Sequence, residues 1–520
     1  VVVVTHSVPF LTLLILLPAV GGGILALLGL DNRLSKELCD WLAVLVSLAT
    51  LVIAVLALIT MREHFGGFQL VSNHTYTGDT LGIRWYLGID GISVFLVLLT
   101  ALLFPLVLVT GQNKPRPRAY AAWMLLLEAA VMGSFLSLDL IVFFFFFELT
   151  LIPAYFIIAG WGHDRRAYAA VKFFLYTFLG SAFLLVGILA LAFIHQSQTG
   201  VLTFSLPALE HTHLSSSTGI LLFLAFTAAF AVKAPLFPFH TWSPDAYTEA
   251  PAGGSVILSS VLAKLGTYGL IRFDLTLFPQ ATRTLAPLIL TLAVIGIVYG
   301  AIVACAQRDM KRMVTYSSLA QIGFIALGTF ALSTQGLSGA VLLMLNHGLI
   351  VGGLFLVIGF IYERRGTWQT TELRGLQKVA PVMAGTFTVF MMANIGVPGL
   401  NGFVSEFLVL LGTFITHRWW AVVAVLGVIV SAIYLLWTYQ QVFHGVPKAE
   451  DEKTRDLAWP ERLVLAPLII LIVLLGVFPK PALDRIDPSV TQLVTHVEKA
   501  TGHYQPSVAS KGTAALGGRP

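Results

Sequence analysis

The chain has 520 residues, 57% of them hydrophobic and only 11% charged, far below the roughly 25% charged content of an ordinary soluble domain. This excludes a water-soluble globule, and a net charge of +5 needs no nucleic acid to explain it. Two distant cysteines, Cys39 and Cys305, cannot build a CxxC pair, a zinc site or an iron–sulfur ligand set, so no metal, cofactor or redox centre is expected in this chain.

Stretches of about 20 apolar residues, enough to cross a hydrocarbon core of roughly 30 Å, recur along the sequence. In chain order they lie near 9–30, 39–60, 88–110, 119–138, 140–160, 168–194, 218–240, 251–272, 284–306, 311–331, 335–361, 380–415, 419–443 and 461–479. These windows predict an all-α polytopic membrane protein of about fourteen transmembrane helices, its solvent the lipid bilayer. The sequence starts at Val1 rather than Met, so a few preceding residues are expected. The first window is too long for a signal-peptide core and has no clear cleavage site, and it reads as a retained span.

The seventh window is interrupted by Pro235 and Pro238, and the twelfth by Val397-Pro398-Gly399-Leu400-Asn401-Gly402. The two interruptions are five spans apart, an odd number, which predicts two five-helix repeats of opposite orientation, each with a broken helix. The expected divisions are 1–118 for helices 1 to 3, 119–273 and 284–445 for the repeats, 446–480 for an inner loop and helix 14, and 481–520 for a flexible outer tail rich in Gly, Ala, Ser and Pro. With both termini outside, eighteen of the 31 Lys and Arg fall in inner loops, among them Arg33, Lys114 and Lys311, and five, including Arg272, in outer loops. That asymmetry is what orientation by inward positive charge requires.

A charged side chain near the bilayer centre costs at least about 2.5 to 3.5 kcal/mol on insertion scales, so each one calls for a reason. Glu148, Lys233 and Lys264 are expected at similar central depth, Glu148 about 13 Å along its helix from Asp139. At about 5 Å and an effective dielectric near 20, a Glu148–Lys233 contact amounts to about 3 kcal/mol, enough to load or release a proton as it forms and breaks. The alternative is a static ion pair between helices, although such pairs seldom improve on apolar packing. Glu406 lies on the second broken helix, where the alternative is a satisfied polar group. Lys172, near the start of its span, either joins the path or snorkels to the interface. His347, midway along its span, could pass protons between Lys264 and Glu406, and His240 ends the first broken helix; either could instead bridge helices. Glu128 is a further, weaker candidate. The run from Phe143 to Phe147 reads as packing rather than a cofactor box.

The segment Phe230-Ala231-Val232-Lys233-Ala234-Pro235-Leu236-Phe237-Pro238-Phe239-His240-Thr241-Trp242-Ser243-Pro244-Asp245-Ala246 resembles the broken-helix motif of the antiporter-like subunits of respiratory complex I, the proton-pumping NADH:quinone oxidoreductase. Leu262-Ala263-Lys264-Leu265-Gly266-Thr267-Tyr268-Gly269, Phe147-Glu148-Leu149, Asp309-Met310-Lys311-Arg312-Met313-Val314-Thr315-Tyr316-Ser317-Ser318 and Asn346-His347-Gly348 extend the resemblance over roughly residues 120 to 445. A carboxylate at Glu406 looks like the chain M type, where related subunits usually carry lysine. Gln321 departs from many bacterial relatives, which have histidine there, so a relay at that point must use another residue or water.

The resemblance implies that Glu148 and Lys233 pair in a first half-channel, that Lys264 and His347 form a central axis, and that Glu406 serves the exit or second half-channel. It implies FMN, iron–sulfur clusters and quinone elsewhere in the complex, antiporter-like membrane subunits as neighbours, and an energy-transducing membrane such as the bacterial cell membrane. The rival readings are a multi-subunit monovalent cation/proton antiporter and a membrane-bound hydrogenase, which could use the same lysines and broken helices.

Overall fold

The computed structural model describes residues 9–28, 36–74, 81–111 and 115–503; Arg33, Lys114 and the tail beyond 503 lie outside the described residues. The chain opens with α1 (Phe10–Leu28) and α2 (Lys36–Thr60), followed by strands β1 (Gln69–His74) and β2 (Trp85–Ile89), which pair antiparallel. The all-α expectation is corrected here, because short alternating segments inside a loop carry no signal on a helix-length window. The ribbon leads into α3 (Val94–Thr110), which packs with α1, α2 and α4 (Pro117–Leu136) as an N-terminal group.

Asp139 caps the next helix by accepting from the backbone of Ile141 and Val142, satisfying donors that would otherwise be orphaned inside an apolar medium. That helix is split at Thr150 into α5 (Leu140–Leu149) and α6 (Leu151–Trp161), where the sequence suggested one continuous span. After α7 (Arg166–Thr199) and the short α8 (Leu206–Leu209), α9 (Ser216–Lys233) stops just before Pro235. Leu236 then bonds back to the carbonyl of Ala231, and the released carbonyl of Val232 accepts from the Trp242 indole at 2.8 Å. Trp242 opens α10 (Trp242–Glu249).

The segment Ala252–Leu277 alternates between geometries: α11 (Ala252–Ile257), a π-helical turn Leu258–Leu262, α12 (Ala263–Gly269), a second π-helical turn Leu270–Asp274, and α13 (Leu275–Leu277). Beyond it come α14 (Pro279–Cys305), α15 (Met310–Phe330, capped by Asp309), α16 (Thr334–Arg365), the short α17 (Leu376–Val379) and α18 (Pro381–Ile395). Residues 396–400 form the second interruption, and α19 (Asn401–Phe443) then runs through a non-helical kink at His417, joining two windows read separately. α20 (Trp459–Val477) and α21 (Lys480–Ala500) end the fold.

Among the described residues, twelve helices are long and apolar enough to cross a membrane, and Val94–Thr110 and Pro381–Ile395 are shorter apolar helices. α16 is the spine: it touches α3 and α11 on one side and α15, α18 and α19 on the other.

α21 corrects the flexible-tail expectation over residues 481–500. Ile486, Val490, Leu493 and Val497, spaced for one helical face, are buried against the body. Its polar side ties down distant parts of the chain: Ser489 Oγ accepts from Gly91 N (3.0 Å), Ser338 donates to Asp487 (2.6 Å), His496 bonds Thr276 O (2.9 Å), and Arg485 pairs with Glu63 (2.7 Å). The backbone of α21 passes Gly91 so closely that a Cβ there would collide with Arg485 O. Arg272, expected in an outer loop, is instead buried in the second π-helical turn.

Candidate functional site

Lys233 closes α9, where the helix dipole favours a cation. The side chain is 2% exposed, and its Nζ donates to Thr150 Oγ1 at 2.8 Å and sits 4.7 Å from the centre of the Phe147 ring. Thr150 is the residue at which the α5–α6 helix divides. Glu148, two residues before Thr150, feels the Lys233 charge and faces the Ser181 hydroxyl, while its Oε1 is buried without a hydrogen-bond partner. Glu148 and Lys233 thus share one neighbourhood without forming a direct ion pair, and Thr150 holds the ammonium. A threonine mid-helix gives no sequence signal that it will receive a lysine from a helix 83 residues away.

Lys264 lies between the two π-helical turns and is fully buried. Its Nζ donates to Ser259 O at 2.6 Å, on the first π-helical turn, and meets His347 Nδ1 of α16 at 2.8 Å. π-helical turns reorient the residues that flank them. The side chains expected to share a central axis are brought into direct contact. If Lys264 is charged it donates to the bare Nδ1; if Nδ1 carries the proton, the neutral amine accepts it. Either state keeps the hydrogen bond, so a proton can change sides with little movement of heavy atoms.

Among the described residues no hydrogen bond or ion pair joins His347 to Glu406, and the link between their surroundings runs through neighbouring residues. Asn346 Nδ2 donates to Asn401 O (2.8 Å) and Ser405 Oγ (3.2 Å), next to Glu406 at the start of α19. Glu406 is 5% exposed and accepts at Oε1 from Gln321 Nε2 at 2.7 Å. Gln321, where the resemblance led one to look for histidine, thus holds the carboxylate directly. The second oxygen leans on Gly396: a Cβ there would lie 2.6 Å from Glu406 Oε2, and φ of +81° already favours glycine.

The remaining candidates divide. Lys172 forms an ion pair with Asp245 of α10 at 2.7 Å, both side chains about one-fifth exposed, so it is partnered rather than merely snorkelling. His240 is buried beside Phe237 and Tyr299 with Nδ1 unbonded. Glu128 is fully buried in α4 facing Ser47 of α2, with neither oxygen in a geometric hydrogen bond. None of these three touches the Lys264–His347 pair. In the phenylalanine run, Phe143 and Phe147 pack inside and Phe145 is exposed.

Sequence reading missed two buried acids. Asp274 accepts from Thr227 at 2.7 Å, and Asp90 is ion-paired with Arg272 at 2.6 Å. Asp90 lies at the start of the window 88–110, where a carboxylate reads as the polar edge of a span; its partner is 182 residues away. Among the described residues, no group of His, Cys, Asp and Glu has the arrangement of a metal site.

A profile of the family described as NADH:quinone oxidoreductase/Mrp antiporter, TM, matches residues 137–433. The chain is 39% identical to NADH-quinone oxidoreductase subunit M of Mycobacterium tuberculosis, over 98% of this chain and 99% of that protein. It is 40% identical to subunit M of Rhodobacter capsulatus, over 95% and 98% of the two chains. Among solved structures it is similar to a chain of respiratory complex I from Thermus thermophilus with bound NADH, with a TM-score of 0.84 and 32% identity, covering 93% of this chain and 99% of that one.

Proposed function

Because the chain belongs to the NADH:quinone oxidoreductase/Mrp antiporter transmembrane family, we propose that it is a membrane-arm subunit of NADH:quinone oxidoreductase that moves protons through buried Glu, Lys and His side chains. The observation that carries this reading is the 2.8 Å contact of Lys264 Nζ with His347 Nδ1, two proton-exchanging groups with at most 1% exposure each. The 39% identity to subunit M over nearly the whole chain supports it over an antiporter or hydrogenase subunit.

In this mechanism Lys233 is the switch. Its ammonium rests on Thr150; moving to Glu148 would neutralise a buried charge pair and change the potential felt at Lys264. The proton on Lys264 then passes to His347 Nδ1 and onward past Asn346 and Ser405 to Glu406, whose carboxylate Gln321 holds in place. Electrons do not pass through this chain: FMN, iron–sulfur clusters and quinone belong to partner subunits, and quinone reduction there drives Lys233 between Thr150 and Glu148. The arrangement of about fourteen spans in two inverted repeats, with antiporter-like subunits as lateral neighbours, both termini outside and the bacterial cell membrane as the location, belongs to the same proposal.

The test is NADH-driven proton pumping by the intact complex in proteoliposomes, wild type against Lys233→Ala, with quinone reduction recorded in parallel. Lost pumping in an assembled complex supports the proposal. An undiminished ratio of protons to electrons would sink it.

A further inference from the structure

Lys264, Tyr268 and Arg272 follow one another at intervals of four along one side of the central helix, so successive side chains lie about one turn apart. The Tyr268 hydroxyl accepts from Arg272 Nε at 3.2 Å and donates to Phe135 O at 3.1 Å. Arg272 in turn binds Asp90 Oδ1 at 2.6 Å, with both side chains at or below 6% exposure. A buried ion pair is a poor stabiliser compared with apolar packing, so its presence asks for another reason.

Beyond the ion pair the protein opens. Asp90 and Arg272 line a pocket of about 120 Å³ together with Glu210, Thr276, Gln492 and His496. The wall on one side is α21, the amphipathic helix fastened across this end by Ser489, His496 and Arg485. The pocket therefore joins a surface of titratable side chains to the helix that bears Lys264, and the Asp90–Arg272 pair stands between them.

We propose that this pocket is a gated proton port of the subunit itself, with the Asp90–Arg272 ion pair as its gate and α21 as its outer wall. The proposal rests on the proton-translocating reading above and adds a route from Lys264 to the membrane surface distinct from the path through Glu406. When the pair is closed, Arg272 places a fixed positive charge in the way of a proton. At rest Lys264 Nζ is turned toward Ser259 O and His347; when Asp90 separates from Arg272, the lysine side chain swings toward Tyr268, its ammonium gives one proton to the hydroxyl, the hydroxyl passes its own proton on, and the Asp90 carboxylate gains one. Asp90 then gives it to Glu210, His496 or solvent in the pocket and pairs again with Arg272. Only a proton moves, and no other bond is made or broken.

The experiment uses the intact complex in proteoliposomes, with NADH oxidation and proton pumping measured together. Asp90→Asn keeps the shape and one acceptor but carries neither a charge nor a titratable proton. It is expected to lower protons pumped per NADH oxidised at least twofold while quinone reduction continues, and Asp90→Glu is expected to restore most of the ratio. A purely structural pair would make both variants lose assembled complex with the ratio unchanged, and that result overturns the proposal. Because Asp90→Asn could fail to assemble, a second measurement places a thiol in the pocket wall: Gln492→Cys, on the exposed side of α21, treated with a bulky membrane-impermeant methanethiosulfonate reagent. Labelling is expected to depress pumping at least twofold without slowing quinone reduction in the uncoupled state. Complete labelling with full pumping overturns the port. Lys233→Ala is run alongside: if it keeps full pumping, the functional reading itself falls, whereas lost pumping there with a silent Gln492 label removes the port alone.

Discussion

Lys264 and His347 form the contact on which the proposed proton transfer turns, and each is positioned by something other than its partner. Ser259 O receives the lysine from below, and α16 fixes the imidazole from across the helix pair. Removing either group leaves a proton with no acceptor at that depth, and a positioned acid–base group contributes about 10²- to 10⁴-fold to a transfer step. Lys264→Ala and His347→Ala are each expected to abolish NADH-driven acidification through this chain, read by a pH-sensitive dye in proteoliposomes. Gln321 makes a different prediction. Replacing it with Leu leaves the Glu406 oxygen without its donor, a loss of about 1 to 3 kcal/mol, visible as faster thermal inactivation of the assembled complex. The charged members of the path were legible in the sequence because every buried charge in an apolar run needs a reason. Thr150 and Asp90 were not, because their partners lie 83 and 182 residues away, and Ser259 was not, because it is its backbone carbonyl on a π-helical turn that meets Lys264, which no residue type marks.

At the scale of elements, the interruptions in the helices matter more than their lengths. Pro235 stops α9 at Lys233, and Gly396 with Pro398 separates α18 from α19 just before Glu406; both breaks were readable from residue type. The π-helical turns around Lys264 were not, because π geometry follows from packing and has no residue signature in Leu258–Leu262 or Leu270–Asp274. α21 was obscured by composition. Pro481 and Pro488, read together with the Gly-rich stretch after residue 501, suggested disorder, yet the apolar residues from Ile486 to Val497 repeat at helical intervals. The buried stripe yields a test. Ile486→Asp puts a carboxylate into a fully buried position, and its cost, about that of an unpaired buried group or more, is expected to release α21. Limited proteolysis of the complex should then cut between residues 479 and 500, where the wild type resists.

On the scale of the whole molecule, the N-terminal group and the two broken-helix regions meet on α16, and α21 fastens them at one end. That the chain is a series of apolar helices was legible because lipid imposes a length and a polarity on every crossing, whereas their exact number was not, since α19 joins two windows. How they pack was not, since a central helix and a lipid-facing one can share the same hydropathy: α16 and Phe10–Leu27 have mean hydropathies of 2.3 and 2.4, yet their windows are 100% and 33% buried. The wholly enclosed Ala252–Leu277 segment, with a mean hydropathy of only 1.4, carries a further consequence. It leaves the ribosome before α15 and α16, the helices that later cover it, have been made. A newborn segment bearing Lys264 and Arg272 has no stable home in lipid by itself, so it must linger at the insertion machinery until its neighbours arrive. The same buried charges that ask for a reason in the finished protein thereby constrain the order in which its helices can settle.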